Sequence, residues 1–165
     1  MKLKHRNKMK KKLLFNLLLA LVLIVNSSMV ITLGKQDWDY NATCGGFSDK
    51  DIPIVIVTGT FKYQKELDIY LKKCAVHAVI FRGLTPSASN MCSTQPPICA
   101  GMTAYEDKEK FYDAFFKDDG EYASFVTVVD AKRGTEMKEK GKGYVKTMHI
   151  AVNRATLKKY IESNK

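Results

Sequence analysis

Residues 54–83 read IVIVTGT, then FKYQKELDIYLKKC, then AVHAVIFRG, and this stretch decides the fold. Ile54 to Val57 is an unbroken run of β-branched residues, which suits a strand covered on both faces. Thr58-Gly59-Thr60 breaks the run, and Thr60 can cap a helix that follows. From Phe61 to Cys74 the apolar residues Tyr63, Leu67, Tyr70, Leu71 and Cys74 recur at helical spacing, with lysines and acids between them. Ala75 to Phe81 is a second apolar run, closed by Gly83. Strand, helix and strand in succession predict a βαβ unit over 54–83, with parallel neighbouring strands and a right-handed crossover.

Beyond that unit the chain turns polar. Leu84 to Tyr105 is rich in Ser, Thr, Pro and Gly and contains Cys92, Pro96-Pro97 and Cys99. A loop of that length inside a small domain is functional or disordered unless something staples it. Asp107 to Lys117 places Phe111, Tyr112, Phe115 and Phe116 on one side of an amphipathic helix, which Asp118-Asp119-Gly120 ends. Tyr122 to Val129 and Tyr144 to Val152 read as a C-terminal strand pair, antiparallel, with the charged connection Asp130 to Gly143 between them. Asn153 then caps a last helix, Arg154 to Ser163, which buries Leu157, Tyr160 and Ile161. The sum is a small α/β domain of about four strands and three helices. On the other side, Lys35 to Asp51 carries Trp38, Tyr40, Cys44 and Gly45-Gly46, and reads as an irregular lead-in. Asn41-Ala42-Thr43 within it matches a glycosylation sequon, a signal for a eukaryotic secretory host.

The front of the chain is of another character. Of 27 basic residues in the 165-residue chain, seven (Lys2, Lys4, Arg6, Lys8, Lys10, Lys11 and Lys12) stand ahead of Leu13, where no acid occurs; the first acid is Asp37. Without them 20 basic residues face 17 acidic ones, so the net charge of +10 belongs mostly to the leader. A near-neutral body lacks the basic face that binding to DNA or RNA requires, so no nucleic acid is expected as partner. Leu13 to Val25 is apolar apart from Asn16 and follows the basic run, the layout of a secretory signal. Apolar character resumes from Met29 to Leu33, so residues 13–33 are also long enough to span a bilayer uncleaved. Residues 1–34 are therefore a signal peptide or N-terminal membrane anchor, and residues 35–165 a single exported α/β domain. About 130 residues suffice for one domain with a core of its own and not for two.

Four cysteines in an exported chain make disulfides the default. Cys92 and Cys99 close a short loop through Pro96-Pro97 and form the preferred pair, leaving Cys44 to meet Cys74. The competing reading is a metal site of Cys74, His77, Cys92 and Cys99, weakened by the wide spacing of the second cysteine pair. An envelope hydrolase or metal-dependent enzyme using His77 with Cys74 or His149 is the runner-up for function, but no nucleophile elbow or comparable motif accompanies those histidines. Thr58-Gly59-Thr60 lacks the spacing and lysine of a phosphate-binding loop. No catalytic residue and no cofactor is assigned.

AVHAVIFRG, QPPIC, the aromatic FYDAFF helix and the closing strand followed by NRATLKKYI resemble small exported bacterial α/β proteins with no assigned activity. The resemblance implies secretion and an α/β domain, and carries over no active site. The expected function is that of a non-catalytic binding domain at the cell envelope, periplasmic or extracellular, contacting a protein or small ligand. Its working surface would be the long loop, with Gln95, Pro96, Pro97 and Arg82 as binding residues. A membrane-anchored structural protein, held through residues 13–33, is the third alternative.

Overall fold

The structure is a computed structural model, and it describes residues 38–88, 92–101, 103–129, 138–140 and 143–164. The expected leader, residues 1–34, lies outside them. Six strands form one mixed sheet: β1 (Tyr40–Asp49), β2 (Ile52–Phe61), β3 (Thr85–Pro86), β4 (Val126–Val128), β5 (Lys138–Lys140) and β6 (Gly143–Val152). Five of them run in the order β3-β1-β2-β6-β4, and β5 also pairs with β6. Three helices complete the domain: α1 (Leu67–His77), α2 (Glu109–Phe115) and α3 (Arg154–Ser163). The class is α/β, with more strands than the four expected.

The expected βαβ unit is absent. β2 extends unbroken through Thr58, Gly59 and Thr60, and both its neighbours, β1 and β6, are antiparallel to it. Gly59 sits in the strand because a Cβ there would lie 3.0 Å from Leu71 Cδ2 and 3.2 Å from a Tyr70 ring carbon. The missing side chain lets α1 press onto the sheet. Thr60 caps nothing; the helix starts at Leu67, after a 3₁₀ turn at Gln64–Glu66. Ala75 to Phe81, expected as a parallel strand, is helical: α1 runs to His77 and continues as a π turn over Ala78–Arg82. Residues 73–80 are all buried, because the sheet covers one side while Phe116 packs on His77 and Ile98 and Cys99 bond to Val79 and Ile80 on the others. A helix buried all round has no polar stripe, so its sequence carries no 3.6-residue period.

The lead-in is also regular. Tyr40–Asp49 forms β1, paired with β2 across a two-residue turn at Lys50-Asp51. Gly45-Gly46 sits at a bulge where the register shifts between Cys44 and Phe47, and Gly46 takes a φ of 124°, open to glycine. The start of the expected third strand is instead a 3₁₀ helix, Glu121–Phe125, leaving only Val126–Val128 as β4. β4 and β6 are antiparallel, as expected. α2 buries Tyr112 and Phe115, and α3 begins where Asn153 Oδ1 accepts from the Thr156 amide at 3.1 Å.

All three helices share one core with the inner side chains of the sheet. Val55, Val57, Met148, Ile150 and Val152 meet Leu67, Leu71, Val76, Tyr112, Phe115, Leu157 and Ile161 there. The alternate positions of β2 (Ile54, Ile56 and Thr58) are only half-buried. The expectation that β2 is covered on both faces therefore fails, and the domain is a two-layer structure among its described residues.

Candidate functional site

The long loop is fastened to the domain at short intervals. Thr85 and Pro86 pair in parallel with Thr43 and Cys44 of β1, and the Ser87 amide donates to the Cys44 carbonyl at 2.9 Å. That alignment brings Cys92 alongside β1, where it is bonded to Cys44, with the Cα atoms 6.1 Å apart. The disulfide corrects both expected pairings: Cys92 does not join Cys99, and Cys44 does not join Cys74. Cys74 and Cys99 are free thiols. Without knowing that Cys44 stands in a strand beside the loop, the sequence offered no signal for the bond. Such a disulfide is compatible with an oxidising, exported compartment.

Past Cys92 the chain is held by backbone. Leu84 and Gln95 exchange two hydrogen bonds of 2.8 Å, and the amides of Ile98 and Cys99 donate to the Val79 and Ile80 carbonyls at the end of α1. Arg154, at the start of α3, donates from Nη2 to the Pro96 carbonyl at 2.8 Å. Gly83 permits this approach: its φ is 73°, and a Cβ would meet the Gln95 carbonyl oxygen at 2.6 Å. Gln95, Pro96 and Pro97 thus lie together on one pinned strip. Pro96 is exposed, and Gln95 and Pro97 are half-buried. Arg82, expected with them, turns elsewhere: it donates to the Trp38 and Tyr40 carbonyls at 2.9 and 3.1 Å and lies over the Tyr40 ring. Thr85, Pro86, Ser93 and Thr94, which sequence reasoning did not single out, are the exposed side chains beside the strip.

His77 occupies a different place. Its Nδ1 lies 2.6 Å from the Tyr40 hydroxyl, and Trp38 stacks on the ring at 4.0 Å between centroids. Phe81, Tyr105 and Phe116 close the remaining sides. Burial, with the Arg82 charge nearby, pushes the imidazole down to about 3, so it stays neutral. Cys74, one helical turn earlier, is pushed up to about 12 by burial and is a thiol, a poor nucleophile in that form. His149 pairs with Ile56 on the face of the sheet away from the helices, so the sheet separates it from His77. The residues named for an enzyme therefore do not converge on one exposed point. Of the expected metal ligands, Cys92 is consumed by its bond to Cys44, and Cys99 lies 3.5 Å from the Tyr112 hydroxyl. Among the described residues, no three His, Cys, Asp or Glu side chains are grouped to hold an ion.

One further pairing was invisible in the sequence. Lys73, its side chain 8% exposed, reaches the Asp118 carboxylate at 2.7 Å. Asp118, read as solvated punctuation, is a partner for a buried lysine. No protein-family model, no curated protein and no solved structure matches this chain.

Proposed function

We propose that the chain is an exported, non-catalytic binding domain of the cell envelope, periplasmic or extracellular, working through its Leu84–Tyr105 loop. The observation that carries this reading is the fastening of residues 84–88 and 92–99 by a disulfide, a strand pairing, a two-way bridge and an arginine-to-carbonyl bond. A segment held this way gives up little conformational entropy when a partner docks on it. Loops fixed on a rigid scaffold are also where binding is concentrated.

Composition narrows the partner. Leu84 to Tyr105 carries no charged side chain in a chain that is 27% charged. A charged group docking there would lose hydration with no opposite charge to meet it, at a cost of several kcal/mol for full burial. The partner, a protein or a small ligand, is accordingly uncharged where it touches the loop. Among the described residues no helix is long and apolar enough to cross a membrane.

Thr94→Arg and Thr85→Arg place a bulky charge on the loop at exposed positions. Each should weaken recovery of the native partner at least tenfold while leaving the thermal midpoint unchanged. Thr60→Arg, exposed near the end of β2 and four residues beyond Ile56, which lies level with Thr43 and Thr85, should do neither. Equal recovery across all three variants would remove the loop from consideration.

A further inference from the structure

The sheet face turned away from the helices carries an attachment point. Asn41 and Thr43 both belong to it, opposite Thr58 and Ile56 of β2. Thr58 is bonded to Thr147 of β6 at 2.7 Å between hydroxyls, and Ile56 leans over Gly45, where a Cβ would meet its Cδ1 at 2.7 Å. Ile54, Val145, His149 and Thr127 continue the same face by register. None of these positions carries a carboxylate, lysine or arginine. Asn41 is exposed, and among the described residues its side chain makes no hydrogen bond.

Asn41-Ala42-Thr43 is the acceptor tripeptide for N-linked glycans. Asp39, also exposed, stands two residues earlier. We infer that Asn41 is an N-glycosylation site whose glycan lies over the Thr58, Ile56 and Thr147 positions of that face. In the transfer, Asn41 Nδ2 attacks the anomeric carbon of a polyprenyl-pyrophosphate-linked glycan. The carbon–oxygen bond to pyrophosphate breaks with its electron pair, and one amide proton passes to a base on the transferase. No oxidant or metal of this chain takes part.

The strand geometry fixes when this happens. In β1 the Cα atoms of Asn41 and Thr43 stand about 6.8 Å apart, because each residue of an antiparallel strand rises about 3.4 Å. A transferase needs the amide and the hydroxyl brought together in a bend, which an extended, paired strand forbids. Transfer therefore precedes the pairing of β1 with β2. After folding, the glycan extends from the β1 side along the Asn41–Thr58–Thr147 row. Its hydroxyls find the threonine hydroxyls there, and its apolar ring faces cover Ile54 and Ile56.

The inference rests on export, and its test separates the two. The non-reduced intact mass is measured for protein recovered from its native source, as wild type, Asn41→Gln, Thr43→Ala and Thr43→Ser. The expected result is a mass in excess of the polypeptide in the wild type and in Thr43→Ser, lost in Asn41→Gln and Thr43→Ala. All four should keep the Cys44–Cys92 bond, since both substituted side chains face away from the core. A wild-type mass equal to the polypeptide overturns the inference: with the leader removed, export stands; with a full-length reduced chain, export falls too. An excess that persists in Asn41→Gln also overturns it.

Discussion

The Tyr40 hydroxyl stands 2.6 Å from Nδ1 of His77 and joins the first strand to the end of the first helix. Tyr40→Phe removes the hydroxyl and leaves a buried imidazole nitrogen without it. The expected cost is about 1–3 kcal/mol, the penalty for a buried polar group left unsatisfied. Chemical denaturation at neutral pH measures it.

The same histidine sets an acid limit. In the unfolded chain His77 titrates near its ordinary value of 6.5, and in the fold burial pushes it down to about 3. The unfolded state therefore binds the extra proton first, so stability from this group is complete above 6.5 and declines as pH falls toward 3. Denaturant midpoints measured across that window should fall in the wild type and fall less in His77→Phe. Parallel curves for the two proteins would show that other groups govern the acid limb.

The thiols should separate by access. In the native, non-reduced protein a maleimide should label Cys99, which is half-buried, and leave Cys74 unlabelled until the chain unfolds. A peptide map should recover Cys44 linked to Cys92. Cys92→Ser should lower stability by about 2–4 kcal/mol and raise amide exchange over residues 92–97 more than in α3.

The Lys73–Asp118 pair is asymmetric, with side chains 8% and 78% exposed. Asp118→Ala strands a buried ammonium, whereas Lys73→Met replaces that ammonium with an apolar side chain of similar length. Asp118→Ala should be the more destabilising of the two, against the intuition that the exposed partner matters less. Paired thermal melts decide the order.

Close approach makes Gly120 hard to replace. A Cβ there would lie 2.3 Å from the Phe115 carbonyl oxygen, which is backbone and cannot step aside. Gly120→Ala should destabilise by about 1–3 kcal/mol, the range for overpacking. Gly59→Ala, which meets mobile Leu71 and Tyr70 side chains at 3.0 and 3.2 Å, should cost less.

What the sequence disclosed follows from which elements keep a wet side. α3 was legible residue by residue, because Leu157 and Ile161 alternate with lysines and Asn153 caps it. β6 was legible from its own run. The run from Ala75 to Ile80 was not, because burial on every side erased the period that separates helix from strand. β1 was hidden by Gly45-Gly46, where a bulge inside a strand has the composition of a loop. Missing β1 also hid the Cys44–Cys92 bond, since pairing cysteines requires knowing which segments run side by side. Gln95, Pro96 and Pro97 are neighbours in the sequence and stay together on the pinned strip, whereas Arg82 bonds to the Trp38 and Tyr40 carbonyls, contacts that no sequence pattern records.

Binding through the stapled loop is tested most directly by a photo-crosslinking residue at Thr94, compared with one at Thr60, in the cell envelope of the producing organism. The account predicts a discrete adduct from position 94, absent from position 60 and abolished by Thr85→Arg in the same chain. Adducts of the same pattern from both positions, or from 60 alone, would contradict it.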